Sequence, residues 1–242
     1  MPNPTAAMLV IGDEILSGRT RDANMHHLAG ELTKAGINLT EVRVVSDDHA
    51  AIVAAARALS DGYDHVFTSG GIGPTHDDIT ADAIAEAFGA AIDVREDALA
   101  IWTAHYDGQG IELNAARLRM ARIPDGAGLI DNPVSAAPGF SIGNLHVMAG
   151  VPSIFQAMVA GVLPTLTGGA PVVSETVRLN RPEGEVAAEL GAMAKAHPEL
   201  SFGSYPFNLN GDYGTNLVVR GTDPDAVRAA AAELAAMFGV SA

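Results

Sequence analysis

A glycine-rich segment between a strand pattern and a helix pattern constrains the fold of this chain more than any other feature. The segment is Thr68–Thr80, and three of the four residues from Gly70 to Gly73 are glycine. The residues before it, Asp64–Phe67, are typical of a short buried strand, whereas Ala81–Phe88 has helical spacing and Gly89 can end the helix. Closely spaced glycines let the backbone turn tightly. The segment therefore predicts a strand, a tight turn and a helix in immediate succession.

Strand and helix patterns alternate in the same way before this segment. The predicted order is strand Ala7–Ile11, helix 22–36, strand Ile37–Val45 and helix 48–59. Alternation of this kind predicts a mostly parallel sheet covered by helices on both faces, which is a three-layer α/β/α fold. Ligands of such sheets bind beyond the carboxyl ends of the strands.

A Gly-Gly-Ala-Pro stretch at residues 168–171 is the best candidate for a linker. We therefore expect one domain over residues 1–169 and a second over residues 170–242. The second part has the patterns of a strand, a helix, two strands and a helix, at residues 172–179, 185–196, 200–205, 216–220 and 224–238. This order predicts a small α+β domain.

The charge balance narrows the range of partners. The formal net charge is −15, from 29 acidic and 14 basic residues. A chain this acidic is not expected to bind nucleic acid or an anionic membrane surface. A phosphate-bearing ligand would have to be held locally, by backbone amides, a few arginines and a metal ion.

The cellular location follows from what the sequence lacks. It contains no cysteine, and therefore no disulfide. Its first residues have neither the basic nor the apolar region of a secretory signal, and it has no apolar run of about 18 residues. We expect a cytoplasmic protein that does not enter the membrane.

The glycine segment has the composition of a phosphate-binding turn. Bare backbone N–H groups and the positive end of the following helix both favour phosphate. The expected contacts are Ser69, Gly70, Gly71, Gly73 and Thr75. The adjacent carboxylates of Asp77 and Asp78 would repel phosphate unless they hold a cation or a ligand hydroxyl. A phosphate-bearing ligand with a divalent metal is the first hypothesis, and a structural Gly-Pro turn whose aspartates cap the helix is the alternative.

Carboxylates also follow the first two predicted strands, as Asp13 and Glu14 after one and Asp47 after the other. Because the carboxyl ends of parallel strands meet at one edge of the sheet, these turns are predicted to share a cleft with the glycine turn. Gly12 and Asp13 are expected to contact the ligand there. Glu14 or Asp13 is a candidate base or further metal ligand.

Three aspartates are the predicted metal ligands, namely Asp47, Asp77 and Asp78. Magnesium accepts a few carboxylates together with water and phosphate oxygens, so it is the preferred metal, with manganese and cobalt as alternatives. Asp78 and Asp47, with Glu14, are the candidate catalytic residues. Asp47 and Asp78 also occupy expected helix-cap positions, and a structural role for each stays open.

Three arginines, Arg117, Arg119 and Arg122, lie close together in a region predicted to be helical up to Ala121. At this spacing they cannot all share one face of a helix. Most are predicted to be solvated, and one of them is a candidate phosphate contact.

Several ordered segments resemble the molybdopterin-binding MoaB/Mog domain family, and more narrowly the amino-terminal region of CinA proteins. The glycine segment is the most specific of these. The others are 11–18 with Asn24, Val45–Asp48, Asn132–Pro133 with Ala137–Phe140, Ala149–Pro152, Phe202–Pro206 and Val219–Asp223. They spread over nearly the whole chain.

The resemblance implies a fold, a site and a set of ligands. It implies that Asn132 and Gly139 shape the cleft from loops that close it, that the small domain is KH-like, and that the protein is a homo-oligomer, either a dimer or a trimer. Mog-type relatives bind molybdopterin and transfer an adenylyl group to it. CinA-like relatives are associated with metal-dependent pyrophosphatase activity on ADP-ribose-like dinucleotides, and related domains of eukaryotic FAD synthases hydrolyse FAD.

One departure favours the pyrophosphatase branch. In Mog-type enzymes an arginine or another residue commonly precedes the aspartate matched by Asp78, whereas this chain has Asp77. Full-length CinA proteins continue into a nicotinamide-mononucleotide deamidase domain, which is not expected within these 242 residues. The leading hypothesis is a metal-dependent nucleotide pyrophosphatase. The alternatives are a molybdopterin-binding or adenylyl-transferring protein and a non-catalytic nucleotide-binding module.

Overall fold

The computed structural model describes residues 2–106, 114–209 and 211–240. The chain divides into two compact units, Met1–Gly169 and Ala170–Ala242. Within the described ranges, no helix is both long and apolar enough to cross a membrane.

The first unit is built on a six-stranded sheet. The strands of this sheet are β1 Thr5–Ile11, β2 Asn38–Val45, β3 His65–Ser69, β6 Gly128–Ile130, β7 Gly139–Ile142 and β8 Leu145–Met148. The strands of a separate pair are β4 Ile92–Val94 and β5 Arg122–Pro124. The sheet order is β2-β1-β3-β8-β7-β6. Strands β2, β1, β3 and β8 are parallel neighbours, and β7 runs antiparallel to both β8 and β6. The predicted mostly parallel sheet is confirmed.

Helices cover both faces of this sheet. They are α1 Asp13–Leu16, α2 Asn24–Lys34, α3 His49–Gly62, α4 Thr80–Phe88, α5 Glu96–Tyr106, α6 Ala115–Arg119 and α7 Pro152–Val162. Alternate residues of β1 belong to two different cores, because successive strand side chains point to opposite faces. Leu9 packs in the core that contains α3 and α4, whereas Met8 packs in the core that contains α2 and α7. This double burial explains why β1 is apolar from Ala6 to Ile11.

Three short strands lie outside the sequence predictions. Strands β4 and β5 pair antiparallel away from the main sheet, and β6 forms its edge. Each has three residues, which is too short to show a period of two. The helix predicted up to Ala121 ends at Arg119, because the chain enters β5 at Arg122.

The second unit has the predicted order of strand, helix, two strands and helix. Its elements are β9 Val173–Leu179, α8 Ala187–Ala196, β10 Ser201–Leu209, β11 Asp212–Gly221 and α9 Pro224–Phe238. The three strands form an antiparallel sheet of order β10-β11-β9. Its core joins β11 to α9 through residues such as Leu217, Val219 and Leu234.

Candidate functional site

A cleft of about 500 Å³ lies where the turns after β1, β2, β3 and β8 meet at the carboxyl edge of the sheet. Parallel strands in register bring these turns together: Ile11 pairs with Val45, and Ser69 pairs with Met148. Most of the residues predicted for the site line this cleft, namely Gly12, Glu14, Asp47, Gly70, Gly71, Gly73, Asp77, Asp78 and Asn132.

The turn after β1 places Glu14 over Gly12. A Cβ atom on Gly12 would lie 2.5 Å from Glu14 Oε2, so the glycine makes room for this carboxylate. Asp13 is exposed and does not line the cleft. Its contribution is the backbone N–H, which donates to Asp47 Oδ2 at 2.9 Å. The turn after β1 is thereby tied to the turn after β2.

The side chains of Asp47 and Asp48 make different contacts although the two residues are adjacent. The Asp48 side chain accepts from Ala51 N at 2.8 Å and caps α3, whereas the Asp47 side chain lines the cleft. Burial raises the pKa of Asp47, and the negative charges of Asp13, Glu14 and Asp77 raise it further against the hydrogen bond from Asp13 N. A cation in the cleft would relieve this crowding of carboxylates.

The glycine turn after β3 is fixed by close backbone contacts. A Cβ atom on Gly70 would lie 2.2 Å from Ile11 O, and one on Gly71 would lie 2.1 Å from Thr80 Oγ1. Both glycines have positive φ, at 108° and 69°. Thr80 Oγ1 donates to Gly70 O at 3.0 Å, and Thr80 N donates to Gly71 O at the same distance. The first residue of α4 is therefore anchored inside the turn.

Asp78 holds the second half of the glycine segment together. Its Oδ2 atom accepts from Thr75 N at 2.8 Å and from the Thr75 hydroxyl. A Cβ atom on Gly73 would lie 2.6 Å from the same oxygen. Thr75 itself does not line the cleft, and α4 begins without a side-chain cap, so Asp78 closes a loop rather than capping that helix.

The predicted metal ligands share the cleft but do not form a preformed cage. Asp47, Asp77 and Asp78 all line it. In the described part of the chain, no three His, Cys, Asp or Glu side chains are grouped so as to hold a metal ion. Magnesium is commonly held by one or two carboxylates with water and phosphate oxygens, so the metal site stays a prediction.

The two residues predicted from the closing loops have different positions. Asn132 lines the cleft, and its Nδ2 atom donates to Ser135 Oγ and Ala137 O, both at 2.8 Å, which holds the loop in shape. Gly139 is buried at the start of β7, where a Cβ atom would lie 2.2 Å from Val147 O. Gly139 therefore permits strand packing and does not line the cleft, contrary to its expected role.

Ser69 does not line the cleft. It is buried at the end of β3, where its Oγ atom accepts from Asn24 Nδ2 at 2.7 Å. Asn24 Nδ2 also donates to Gly150 O at 2.7 Å. Asn24 thus joins α2 to the turns after β3 and β8, a role that no local pattern indicates.

Cleft residues absent from the sequence prediction are mostly apolar. They include Met120, Ser135, Ala137, Val151 and Ile154. Ile154 lies in α7 and the others lie outside regular strands and helices, where apolar residues carry no periodic signal, so their position around the cleft identifies them.

The three arginines differ in their contacts. Arg119 Nη2 donates to Asp78 O at 3.1 Å, and Arg119 lines a small recess beside the glycine turn. Arg122 lines the same recess but forms an ion pair of 2.7 Å with Asp82. Arg117 lines neither the recess nor the cleft.

Two family profiles match the chain and together cover nearly all of it. Residues 7–168 match the family described as a probable molybdopterin binding domain. Residues 171–242 match the family described as the middle domain of FAD synthase.

Three relatives illustrate the proteins whose sequences are similar to this chain. A protein of Pyrobaculum calidifontis is 36% identical over 86% of this chain and 83% of its own length. A probable FAD synthase of Caenorhabditis elegans is 31% identical over 95% of this chain. A CinA-like protein of Citrifermentans bemidjiense is 39% identical over 67% of this chain. The chain spans only 49% and 40% of the last two proteins.

A solved structure supports the same assignment. The CinA protein of Thermoplasma acidophilum, whose function is described as unknown, is 34% identical, has a TM-score of 0.63 and aligns over 68% of this chain and 99% of its own. Sequence profile, relatives and fold agree. This chain is therefore a CinA-like member of the MoaB/Mog molybdopterin-binding domain family.

Proposed function

We propose that this protein is a metal-dependent pyrophosphatase that hydrolyses the diphosphate linkage of ADP-ribose- or FAD-like dinucleotides. One observation carries the proposal: a single cleft gathers the carboxylates of Glu14, Asp47, Asp77 and Asp78 beside a glycine turn. Carboxylates suit a metal and a water molecule, and the turn suits phosphate, so the set matches the parts that diphosphate hydrolysis needs.

The reaction consumes one water molecule. The water oxygen bonds to one phosphorus atom, the bond from that phosphorus to the bridging oxygen breaks, and two phosphomonoesters leave. For ADP-ribose these products are AMP and ribose 5-phosphate. The proton released by the attacking water needs an acceptor in the cleft.

Asp47 is the proposed acceptor of that proton. Its pKa is raised by burial and by neighbouring carboxylates, which makes it a better base than an ordinary exposed aspartate. The hydrogen bond from Asp13 N holds one of its oxygens in place. Glu14, which lines the same cleft, is the second candidate.

A divalent ion would be held by Asp77 with Asp47 or Asp78, and magnesium fits this sparse set, with manganese or cobalt as alternatives. When bound, such an ion neutralises phosphate charge and lowers the pKa of a coordinated water. Asp78 has the additional task of holding Thr75, so its replacement would also loosen the glycine segment.

The substrate class is supported by the relatives. The resemblance to FAD synthases includes the second unit, which matches their middle domain, and the Caenorhabditis elegans protein aligns over 95% of this chain. FAD and ADP-ribose share an adenosine diphosphate half, and a cleft of about 500 Å³ is in the range of small-molecule sites.

The test is a product assay with ADP-ribose, FAD and NAD, each with and without magnesium, manganese or cobalt. We expect AMP release that needs metal and that falls at least about 100-fold in Asp47→Asn, because the proposed base is lost. Asp48→Asn is the matched control: it removes the same charge one residue away and keeps the helix cap. Full turnover in a folded Asp47→Asn protein would disprove the assignment.

Molybdopterin binding is the second candidate, because the family profile over residues 7–168 is that of a probable molybdopterin binding domain. Under this alternative the same cleft would hold a pterin phosphate. Melting temperature raised by molybdopterin, with no AMP released from any dinucleotide, would favour it. A rise caused by nucleotide alone, again without product, would instead indicate a non-catalytic nucleotide-binding module.

A further inference from the structure

We propose that Arg119 is the cation that binds the ligand's diphosphate at the glycine turn, with the recess beside it receiving one phosphate oxygen. The inference deepens the proposed function, since it rests on a phosphate-bearing ligand in the cleft. It does not depend on hydrolysis.

The recess adjoins the cleft and has the size of a single oxygen-centred group. Its volume is about 20 Å³, which is enough for one water-sized group. Gly71, Gly73 and Asp78 line both the recess and the cleft. A ligand oxygen in the recess would therefore belong to a phosphate group bound at the glycine turn.

The guanidinium of Arg119 has unused hydrogen-bonding capacity at this place. A guanidinium has five N–H donors. Nη2 donates to the backbone oxygen of Asp78, while Nε is shielded from solvent and has no hydrogen-bond partner among the described residues. A shielded cationic donor without an acceptor is costly, and a phosphate oxygen would satisfy it with a charge-assisted bond.

The charges around the cleft also favour a cationic side chain, in addition to the proposed metal ion. Four carboxylates, those of Glu14, Asp47, Asp77 and Asp78, line the cleft and repel a diphosphate. The other arginine of the recess, Arg122, is already paired with Asp82 at 2.7 Å. Arg119 forms no ion pair with a described residue, so its charge is available to the ligand.

The experiment compares the binding of ADP and adenosine to the whole protein by calorimetry and by NMR titration. In Arg119→Gln we expect ADP to bind about 10- to 100-fold more weakly, the usual loss for a hydrogen bond to a charged group, while adenosine binding stays unchanged. Arg119→Lys should recover part of the ADP affinity, because it keeps the charge without the planar fork.

Arg57→Gln is the matched control. Arg57 donates to the backbone oxygens of Glu86 and Ala87, as Arg119 does to Asp78, but it lies on α3 and lines no part of the cleft or the recess. It should bind ADP like the wild type. Equal losses for ADP and adenosine in Arg119→Gln would show a purely structural role and overturn the proposal, as would unchanged ADP affinity.

The two proposals can fail separately. A wild-type protein that binds ADP through Arg119 but releases no AMP from ADP-ribose would disprove the pyrophosphatase and leave this inference standing. Metal-dependent turnover with an unchanged KM in Arg119→Gln would disprove this inference alone.

Discussion

At the scale of single residues, a buried imidazole in β8 makes the folded state sensitive to acid. His146 is only 6% exposed, and its Nδ1 atom is 2.8 Å from Ser141 Oγ. Burial, aided by the charge of His65, lowers the pKa of His146 to about 4. Nε2 has no hydrogen-bond partner among the described residues. The folded protein therefore holds this ring neutral at a pH where the unfolded chain protonates it.

The sign of the effect follows from linkage. Because the pKa of His146 is lower in the folded state, its contribution to stability is complete above pH 6.5 and is lost as the pH falls toward 4. Between pH 7 and pH 5 we expect a loss of about 2 kcal/mol in the free energy of unfolding. Urea titrations at both pH values should show a smaller loss in His146→Gln. The same loss in both proteins would contradict this, and the exposed His76→Gln variant is the control.

At the scale of elements, the turn between β3 and α4 decides whether the cleft exists. Gly70 and Gly71 bring the chain against Ile11 O and Thr80 Oγ1 at distances that no Cβ atom can occupy. Their positive φ values add backbone strain for any other residue. This turn therefore sets both the start of α4 and the position of the bare N–H groups.

Gly71→Ala tests this dependence. We expect a loss of at least about 2 kcal/mol in the free energy of unfolding, since the new methyl group meets Thr80 and the backbone is strained. Nucleotide affinity should fall with it. Gly62→Ala, at the end of α3 with open space around the glycine, should be neutral or slightly stabilising. Equal stability of the two variants, measured by urea unfolding, would contradict the argument.

At the scale of the whole molecule, the candidate site belongs to the first unit, and the second unit has a hydrophobic core of its own. Every described residue that lines the cleft or the recess belongs to Met1–Gly169. The core of the second unit includes Val177, Leu217 and Leu234 and contains no residue of the first unit. The homo-oligomer implied by the family stays a prediction.

A fragment of residues 1–169 should therefore fold by itself. We expect its affinity for ADP to lie within about threefold of the full-length value, a difference of less than 1 kcal/mol in binding free energy. Circular dichroism and calorimetry would check both properties. Loss of binding in a folded fragment would mean that residues 170–242 contribute to the site.

From the sequence we could predict the alternation of strands and helices, the parallel sheet, and the edge at which the candidate site lies. These follow from local patterns: apolar runs for buried strands, helical spacing, and glycines where the backbone must turn. Three-residue strands such as Ile92–Val94 were not predicted, because three residues are too few to show the two-residue alternation of a strand.

The contacts of the polar residues could not be predicted from the sequence, because they depend on neighbours far away in the chain. Asp47 and Asp48 look alike in sequence, yet only Asp47 receives the N–H of a residue 34 positions earlier. Gly139 serves strand packing, because Val147 O lies where its side chain would be. Arg119 donates to the backbone oxygen of Asp78, whereas Arg122 forms an ion pair with Asp82, and both partners lie about 40 positions away in the chain. Residue type and local pattern identify candidate site residues, whereas contacts between distant parts of the chain show which of them line the cleft.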